Sequence, residues 1–497
     1  MNVTSEAPEA LNIITLNCWG LKYIAKLRRE RLVEIGKRIA IASPVPSIVG
    51  LQECWTFEDY KVIRQHTRVT LPYGKFYHSG IFGGGLAILS KWPIEESNMV
   101  RYPLNGRPTA FFRGDWFVGK GVACARIRIG PGKKDVVEVF CTHLHAPYEV
   151  EPHDSYLCHR TAQAWEIAKL MRGGAERGHL VIGLGDFNMI PLSLAHRLIT
   201  THAPVKDAWR VLYPDSSVGA AIDLVENARG RPIPDAAFNL TTNGTTCDSI
   251  LNTWRWRKED QQKMFKGEVI KVEGHAPDPR AKRLDYIFIG SEPGTDSRWH
   301  VQKIKVGMTD RHPTIGCSLS DHFSVEATIS CAGDSPKSEA INTAASGLSH
   351  AEEASITSIV LDSNGHPLKS TLSYHQTVTL PNSTYEEILA MISTYTLRER
   401  RQRRLRLTHF LVSVPISIGC LTAVFWSPHN FVSFILMLLS TLSLGAGIID
   451  GLIGGLFVGS ELRALKEFEW EIRNVLRASR GVLGDEEEEG SVRDWYD

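Results

Sequence analysis

Between residues 11 and 330 the chain is punctuated by short apolar, β-branched runs: Leu11–Leu16, Ser47–Leu51, Leu86–Leu89, Val122–Ile129, Val136–Cys141, His179–Leu184, Tyr286–Ile289 and Phe323–Ile329. Runs of this length, bounded by polar and turn-forming residues, predict buried strands. Between some of them the spacing becomes helical, over Tyr23–Ile41 (apolar Leu27, Leu32, Ile35 and Ile39) and over Ser155–Met171. Strands outnumber helices, so residues 11–330 are expected to form one α/β domain built as a layered sandwich rather than a plain βαβ alternation.

Beyond Cys331 the pattern changes twice. Residues 331–384 turn rich in Ala, Ser, Asp and Glu and read as a linker, within which Ile356–Leu380 predicts a short hairpin turning at Asn364-Gly365. The stretch 385–406 is an amphipathic helical pattern, Tyr385–Leu397, running into Arg398–Arg406 with six arginines in nine residues. Leu407–Trp426 carries no Asp, Glu, Lys or Arg, and at about 1.5 Å per residue it is long enough to span a bilayer. After the polar turn Ser427–Asn430 a second apolar run, residues 431–459, is interrupted by Asp450, and residues 460–497 read as a surface helix with an acidic tail, Asp485–Glu489. Two spans form a transmembrane hairpin, and the positive-inside rule puts the arginine run, and with it the large domain, in the cytosol. An endoplasmic reticulum or a mitochondrial membrane fits. Gly447, Gly451, Gly455 and Gly459 recur every fourth residue, a stripe that lets helices approach, although a thin helix end explains the last two equally. Asp450 reads as the point where the helix leaves lipid, or as a functional intramembrane charge.

Composition narrows the classes. The net charge is +1 over 497 residues, without the global basic field that nucleic-acid binders carry. Nine scattered cysteines with no C-x-x-C pair predict neither a disulfide framework nor a zinc site. Met1–Asn12 has no basic region followed by an apolar stretch, so no secretory leader is expected, and a reducing compartment fits both observations.

The candidate chemistry sits at the ends of the strand-like runs. In chain order come Leu16-Asn17-Cys18-Trp19, Leu51-Gln52-Glu53, Thr142-His143-Leu144-His145, Gly185-Asp186-Phe187-Asn188, Arg283-Leu284-Asp285-Tyr286 and Ser320-Asp321-His322. Hard oxygen and amide donors without a cysteine cluster suit Mg²⁺ better than zinc. Asp186 and Asn188 share one face at the end of Val181–Leu184, where open sheets place active sites. A carboxylate there can orient water while an amide holds a phosphate oxygen; the tetrapeptide alone reads equally as a turn. Glu53 closes an apolar run, a place that suits a metal ligand, although taken alone such an acid is more often a helix cap or a surface charge; Asn17 sits similarly after Ile13–Leu16. Asp285 and Asp321-His322 flank the last strands, and a carboxylate bonded to imidazole fixes its tautomer and raises its basicity. His143 can donate to a phosphate or a leaving group. Taken singly each of these histidines is more often structural; six strand-end matches in order reverse that judgement.

The set resembles the DNase-I-like superfamily of metal-dependent phosphohydrolases (endonucleases, exonucleases and phosphatases) over residues 11–330. The resemblance implies a two-sheet sandwich flanked by helices. It implies that Glu53 binds Mg²⁺ with Asn17 beside it, that Asp186 and Asn188 position water and phosphate, and that His143 contacts the phosphate. His322 would be the base, oriented by Asp285, and Asp321 would support the metal or its water. Arg107–Gly121 is similar to the P-loop-like segment of neutral sphingomyelinases and fungal inositol phosphosphingolipid phospholipases C. Gly114–Lys120 matches G-x-x-x-x-G-K, but Gly121 stands where a nucleotide site needs Ser or Thr, and a strand-like run follows in place of a helix. A nucleotide site is therefore rejected. The resemblance implies instead that Asp115 and Lys120 serve substrate engagement or activation, the plain alternative being a hairpin turn with solvated charges. Cys247-Asp248-Ser249-Ile250-Leu251 is similar to a motif of inositol-polyphosphate 5-phosphatases but lacks its arginine, and Asp285 already fills that role.

Membrane-anchored members carry two spans after the catalytic domain, so the resemblance extends to the C-terminal hairpin. It implies a membrane-anchored, Mg²⁺-dependent sphingolipid phospholipase C releasing ceramide and a phosphorylated headgroup, with anionic phospholipids as activators and no nucleic-acid partner. One rival is an endonuclease of the same superfamily, opposed by the near-neutral charge and the hairpin; another is a catalytically inactive membrane scaffold, opposed by the full residue set. Headgroup choice between inositol phosphate and phosphocholine is expected to lie in loops within Val205–Ala281.

Overall fold

The computed structural model describes residues 6–149, 154–291, 298–331, 357–361, 367–371 and 380–481. It divides into two compact units, one of Met1–Asn105, Phe117–Tyr156 and Gln163–Thr379, the other of Gly106–Trp116, Leu157–Ala162 and Leu380–Asp497.

The first unit is the expected sandwich. One six-stranded sheet contains β1 (Ala10–Asn17), β2 (Ile48–Gln52), β3 (Tyr73–Tyr77), β4 (Leu86–Ser90), β11 (Trp299–Gly307) and β12 (Ser324–Cys331), in the order β11-β12-β1-β2-β4-β3. The other contains β5 (Ile94–Arg101), β6 (Gly121–Arg128), β7 (Val136–His143), β8 (Leu180–Asp186), β9 (Val205–Asp207) and β10 (Asp285–Gly290), in the order β5-β6-β7-β8-β10-β9. Ile13, Ile48 and Ile88 meet Ala125, Val139, Ile182 and Ile287 between the sheets. A Cβ on Gly50 would lie 1.9 Å from Leu184 Cδ1, so any larger residue at the centre would have to displace Leu184. Ile14, Leu16, Val49 and Leu51 face outward under Leu32, Ile35, Ile39 and Ile63 of the helices Arg28–Ala40 and Phe57–Thr67. Phe140, Val181 and Phe288 lie under Ala164, Ile167 and Met171.

Interior strands are thus apolar on both faces, which is why they read as continuous runs. The helix predicted from Tyr23 begins at Arg28, because Leu27 turns into the left-handed region (φ 49°); Tyr23 and Ile24 are left exposed before it.

Register brings the strand ends to one rim. β1 and β2 are parallel with Asn17 opposite Gln52, and β7 and β8 are parallel with His143 opposite Asp186. β10 runs antiparallel to β8 with Asp285 opposite Asp186. β12 runs antiparallel to β1, so His322, just before it, arrives where β1 ends. The strands β13 (Thr357–Leu361) and β14 (Pro367–Thr371) pair antiparallel; the Asn364-Gly365 turn expected between them, most of the linker and the tail Asp485–Glu489 lie outside the described residues.

In the second unit the amphipathic stretch, the arginine run and the first apolar span form one helix, Asn382–Ala423, with Pro415 inside it. The return helix Asn430–Leu452 continues through a π-turn, Ile453–Phe457, into Val458–Ser479. Both are long and apolar enough to cross a membrane. The glycine stripe divides as its two readings anticipate. A Cβ on Gly447 would strike Ser413 Oγ at 1.8 Å and one on Gly451 would lie 2.9 Å from Phe410, whereas Gly459 faces open space. Asp450 is not a bare charge: Arg406 pairs with it and His409 Nδ1 lies 2.8 Å away.

Candidate active site

Asn17 closes β1 and links two of the carboxylates. Its Nδ2 donates to Glu53 Oε1 (3.2 Å) and to Asp186 Oδ2 (3.0 Å), and its carbonyl accepts Ser320 Oγ (2.6 Å). Glu53 leaves β2 with φ 52°, a left-handed turn that aims its side chain back at the rim. Its Oε2 is buried without a hydrogen-bond partner. Burial, with the Asp321 carboxylate adding to it, pushes the Glu53 carboxyl up to about 7.

Asp186 ends β8 and is pushed up to about 6, chiefly by burial, with Asp285 adding to the rise. Its Oδ1 accepts the Asn188 backbone N–H (3.0 Å), and Asn188, at φ 45°, donates from Nδ2 to the Leu144 carbonyl (3.1 Å). His322 Nδ1 lies 2.8 Å from Asp285 Oδ2, while its Nε2 faces Asp186 Oδ2 at 3.9 Å. Burial pulls the His322 imidazole down, but the Asp285 and Asp186 carboxylates outweigh it and hold the group well above its usual range. His143 Nε2 lies 3.4 Å from the same Asp186 oxygen. Its pKa goes the other way, far down, through burial and the nearby charges of Lys120 and His322. Lys120 Nζ donates to the His143 and Leu144 carbonyls (3.4 and 3.3 Å). Asp321 accepts from Ser320 Oγ (3.3 Å) and is raised by burial.

The first unit therefore gathers Asn17, Glu53, Lys120, His143, Asp186, Asn188, Asp285, Asp321 and His322 at one rim. Asp115 belongs to the second unit, on the short helix Asp115–Val118. Arg107–Gly121 is not the hairpin turn of its alternative reading: Pro108–Arg113 is a 3₁₀ helix, and Asp115 and Lys120 are both buried. Asp248 is held away from the histidine by Arg255 (2.8 Å) and Lys282 (3.1 Å), which leaves Asp285 as its partner.

One ligand atom each from Asp186, Asp285 and His322 lies within 4.8 Å of the others, close enough for one ion to reach all three. Glu53 joins this group through Asn17. Four carboxylates in one buried rim, two of them carrying unpartnered oxygens (Glu53 Oε2 and Asp285 Oδ1), concentrate negative charge that a divalent cation neutralises. The residues fit such an ion.

Three residues position the site in ways the motifs do not show, although Arg283 stands inside one of them. Arg31, fully buried, donates to the carbonyls of Cys18 (3.0 Å), Trp19 (2.7 Å) and Leu319 (2.8 Å), tying the loop after Asn17 to the one before His322. Its signal was available: Arg31 falls one helical turn from both Leu27 and Ile35, on the apolar stripe. Thr246 Oγ1 accepts the backbone N–H groups of Leu284 and Asp285 (3.2 and 3.4 Å), and its carbonyl accepts Phe323 N–H (2.8 Å). Arg283, 1% exposed, grips Asp207 with bonds of 2.9 and 2.8 Å and fixes the entry to β10.

Residues 14–322 match the Endonuclease/Exonuclease/phosphatase family. The chain is 37% identical over 470 residues to the inositol phosphosphingolipids phospholipase C of Schizosaccharomyces pombe, covering 94% of each. It is 32% identical over 487 residues to the protein of the same description from Saccharomyces cerevisiae, covering 93% of this chain and 89% of that one. Sphingomyelin phosphodiesterase 2 of Homo sapiens is 36% identical over 199 residues, 40% of this chain and 46% of that one.

Proposed function

The chain belongs to the endonuclease/exonuclease/phosphatase family and, within it, to the inositol phosphosphingolipid phospholipases C, and from that membership we infer a membrane-anchored phospholipase C acting on sphingolipids. The observation that carries the reading is the convergence at one rim of Glu53 and Asp186, both hydrogen-bonded to Asn17, with the His322–Asp285 pair, whose Nε2 faces Asp186 at 3.9 Å. We assign Mg²⁺ to Glu53, with Asn17 beside it and Asp321 in support. When bound, the ion supplies positive charge that acidifies water from a pKa of about 15.7 toward neutrality and offsets the phosphate charge.

The chain's own residues do the rest. Asp186 orients the attacking water. His322 takes its proton at Nε2, because Asp285 occupies Nδ1 and fixes the tautomer. Asn188 and Lys120 hold phosphate oxygens, and neutral His143 donates to the phosphate. The water oxygen bonds to phosphorus, the bond from phosphorus to the ceramide oxygen breaks, and the departing oxygen takes up one proton from solvent as His322 releases the one it accepted, so ceramide leaves as an alcohol. Purified full-length protein in mixed micelles with ceramide phosphoinositol or sphingomyelin is expected to release ceramide with Mg²⁺ and to stop in excess chelator; undiminished release in chelator would remove the metal from the mechanism.

The arginine run faces the cytosolic leaflet of an endoplasmic reticulum or mitochondrial membrane in this reading, where anionic phospholipid activates the enzyme. Not all six arginines serve that purpose, since Arg406 is engaged by Asp450 and by the Thr109 carbonyl (3.2 Å), whereas Arg401 and Arg404 are exposed. Each exposed arginine near an anionic surface contributes about 1 kcal/mol, so Arg401→Gln with Arg404→Gln is expected to weaken activation by phosphatidylserine or cardiolipin about 30-fold. Titrating activity against lipid fraction at low and high salt checks this. A wild type indifferent to both lipid and salt refutes it.

A further inference from the structure

Two loops of the first unit flank Glu53, and both pack against it. The loop after β1 comes so close that a Cβ on Gly20 would lie 2.1 Å from the Glu53 carbonyl oxygen. In the loop from β3 to β4 the Gly85 carbonyl accepts the Cys54 N–H (3.0 Å), and a Cβ on Gly85 would lie 3.4 Å from Glu53 Cα. This second loop also grips the chain leading to Lys120. The N–H groups of Ile81 and Phe82 donate to the Phe117 carbonyl (3.0 and 3.1 Å), and Ser79 Oγ donates to the Gly119 carbonyl (2.7 Å).

The bases of these loops are fixed, yet their tips are apolar and bare. Tyr23 is 91% exposed and Ile24 70%, while Ile81 is 71% and Phe82 61% exposed. Large apolar side chains left in water beside a functional rim mark a surface that is covered in use. The charge beside them says by what. Neither Trp19–Lys26 nor His78–Gly85 contains Asp or Glu, and the first carries Lys22 and Lys26. Both lysines are exposed and without an ion pair among the described residues: Lys22 Nζ lies over the Tyr23 ring at 5.4 Å, and Lys26 donates to Gln261 Oε1 (3.3 Å). Aromatic and branched tips beside lysines, with no acid among them, match the boundary between headgroups and acyl chains of an anionic bilayer.

We propose that the loops Gly20–Lys26 and Ser79–Gly85 form a lipid-contact surface of the catalytic unit, whose tips enter the bilayer interface and seat the Glu53 side of the rim against it. The proposal rests on the phospholipase reading above, which makes a bilayer lipid the substrate. It adds a membrane contact distant in sequence from the arginine run and the spanning helices. Tyr23, Ile24, Ile81 and Phe82 enter the acyl boundary, and Lys22 and Lys26 reach the phosphates on their flexible stems.

The test uses the full chain reconstituted in phosphatidylcholine–phosphatidylserine vesicles. Two substrates are compared: ceramide phosphoinositol within the bilayer, and a short-chain, water-soluble analogue added as monomer. Ile81→Ser combined with Phe82→Ser is expected to lower turnover of the bilayer lipid at least about tenfold and to leave the monomer within about twofold of wild type. Tyr23→Ser with Ile24→Ser should act in the same direction. A second readout needs no turnover. An environment-sensitive fluorophore on Phe82→Cys, read against identically labelled wild type, should shift to the blue in vesicles and be quenched by brominated acyl chains. A blue shift without quenching assigns the tip to a protein contact and overturns the proposal, as does a label that stays in water. Equal losses on both substrates overturn it too, since they report damage to Glu53 or Lys120, and so does a double variant with wild-type turnover of the bilayer lipid; all of these leave the phospholipase intact. A wild type that cleaves neither substrate overturns the phospholipase reading and the docking surface with it.

Discussion

Replacing His322 by alanine is expected to lower kcat/KM by about a hundredfold to ten-thousandfold, the range that a positioned general base contributes. Among the described residues no second imidazole at the rim can take its place. The two imidazoles at the rim are driven apart by their surroundings: the carboxylates of Asp285 and Asp186 raise His322, while burial and the charges of Lys120 and His322 keep His143 neutral and weakly basic. In the proposed mechanism such a split suits one to proton acceptance and the other to hydrogen-bond donation. Removing the imidazole also strands Asp285, which is 0% exposed, and an uncompensated buried charge costs about 3–5 kcal/mol. Activity must therefore be compared with folding. The double variant His322→Ala with Asp285→Asn removes the stranded charge, should melt higher than the single variant, and should turn over no more slowly, because members of one catalytic unit are not additive. Hydrolysis within about tenfold of wild type by a folded His322→Ala protein would take His322 out of its role.

How much of this is legible in the amino-acid sequence depends on where a residue sits in the sheets. The eight apolar runs fall on β1, β2, β4, β6, β7, β8, β10 and β12, the interior strands of both sheets. β3, β5, β9 and β11, which no run announced, are the four sheet edges. An edge strand keeps one ladder and one open side, so charge is tolerated and even useful there, as in Ile94-Glu95-Glu96-Ser97 of β5. The site was readable because its acids and amides terminate interior strands, where polarity contrasts most sharply with what precedes it. Asp207 and Thr246 had no such contrast: one closes a three-residue edge strand and the other lies in a loop. Their roles depend on partners 76 and 39 residues away, Arg283 and Asp285, which no local pattern encodes.

Glu53→Gln is the second large effect, and it separates the metal from the base. Glutamine preserves the shape and can still accept from Asn17 through Oε1, but it withdraws the charge from the oxygen that has no partner. Mg²⁺ affinity is expected to fall by about a hundredfold or more, and kcat/KM at limiting Mg²⁺ by about a thousandfold. Stability should move in the opposite direction. In metal-free protein the wild type must bury a carboxyl that its surroundings push up to about 7, a cost the amide does not carry. The variant should therefore melt above the wild type in chelator. Mg²⁺ at a hundred times its dissociation constant stabilises a binding-competent fold by about 2.7 kcal/mol, so the wild type should overtake the variant as Mg²⁺ is added. Calorimetry across a Mg²⁺ series reads both curves without any substrate. Melting curves that stay parallel, with the same Mg²⁺ response in both proteins, would place the cation elsewhere than at Glu53 even if activity were lost.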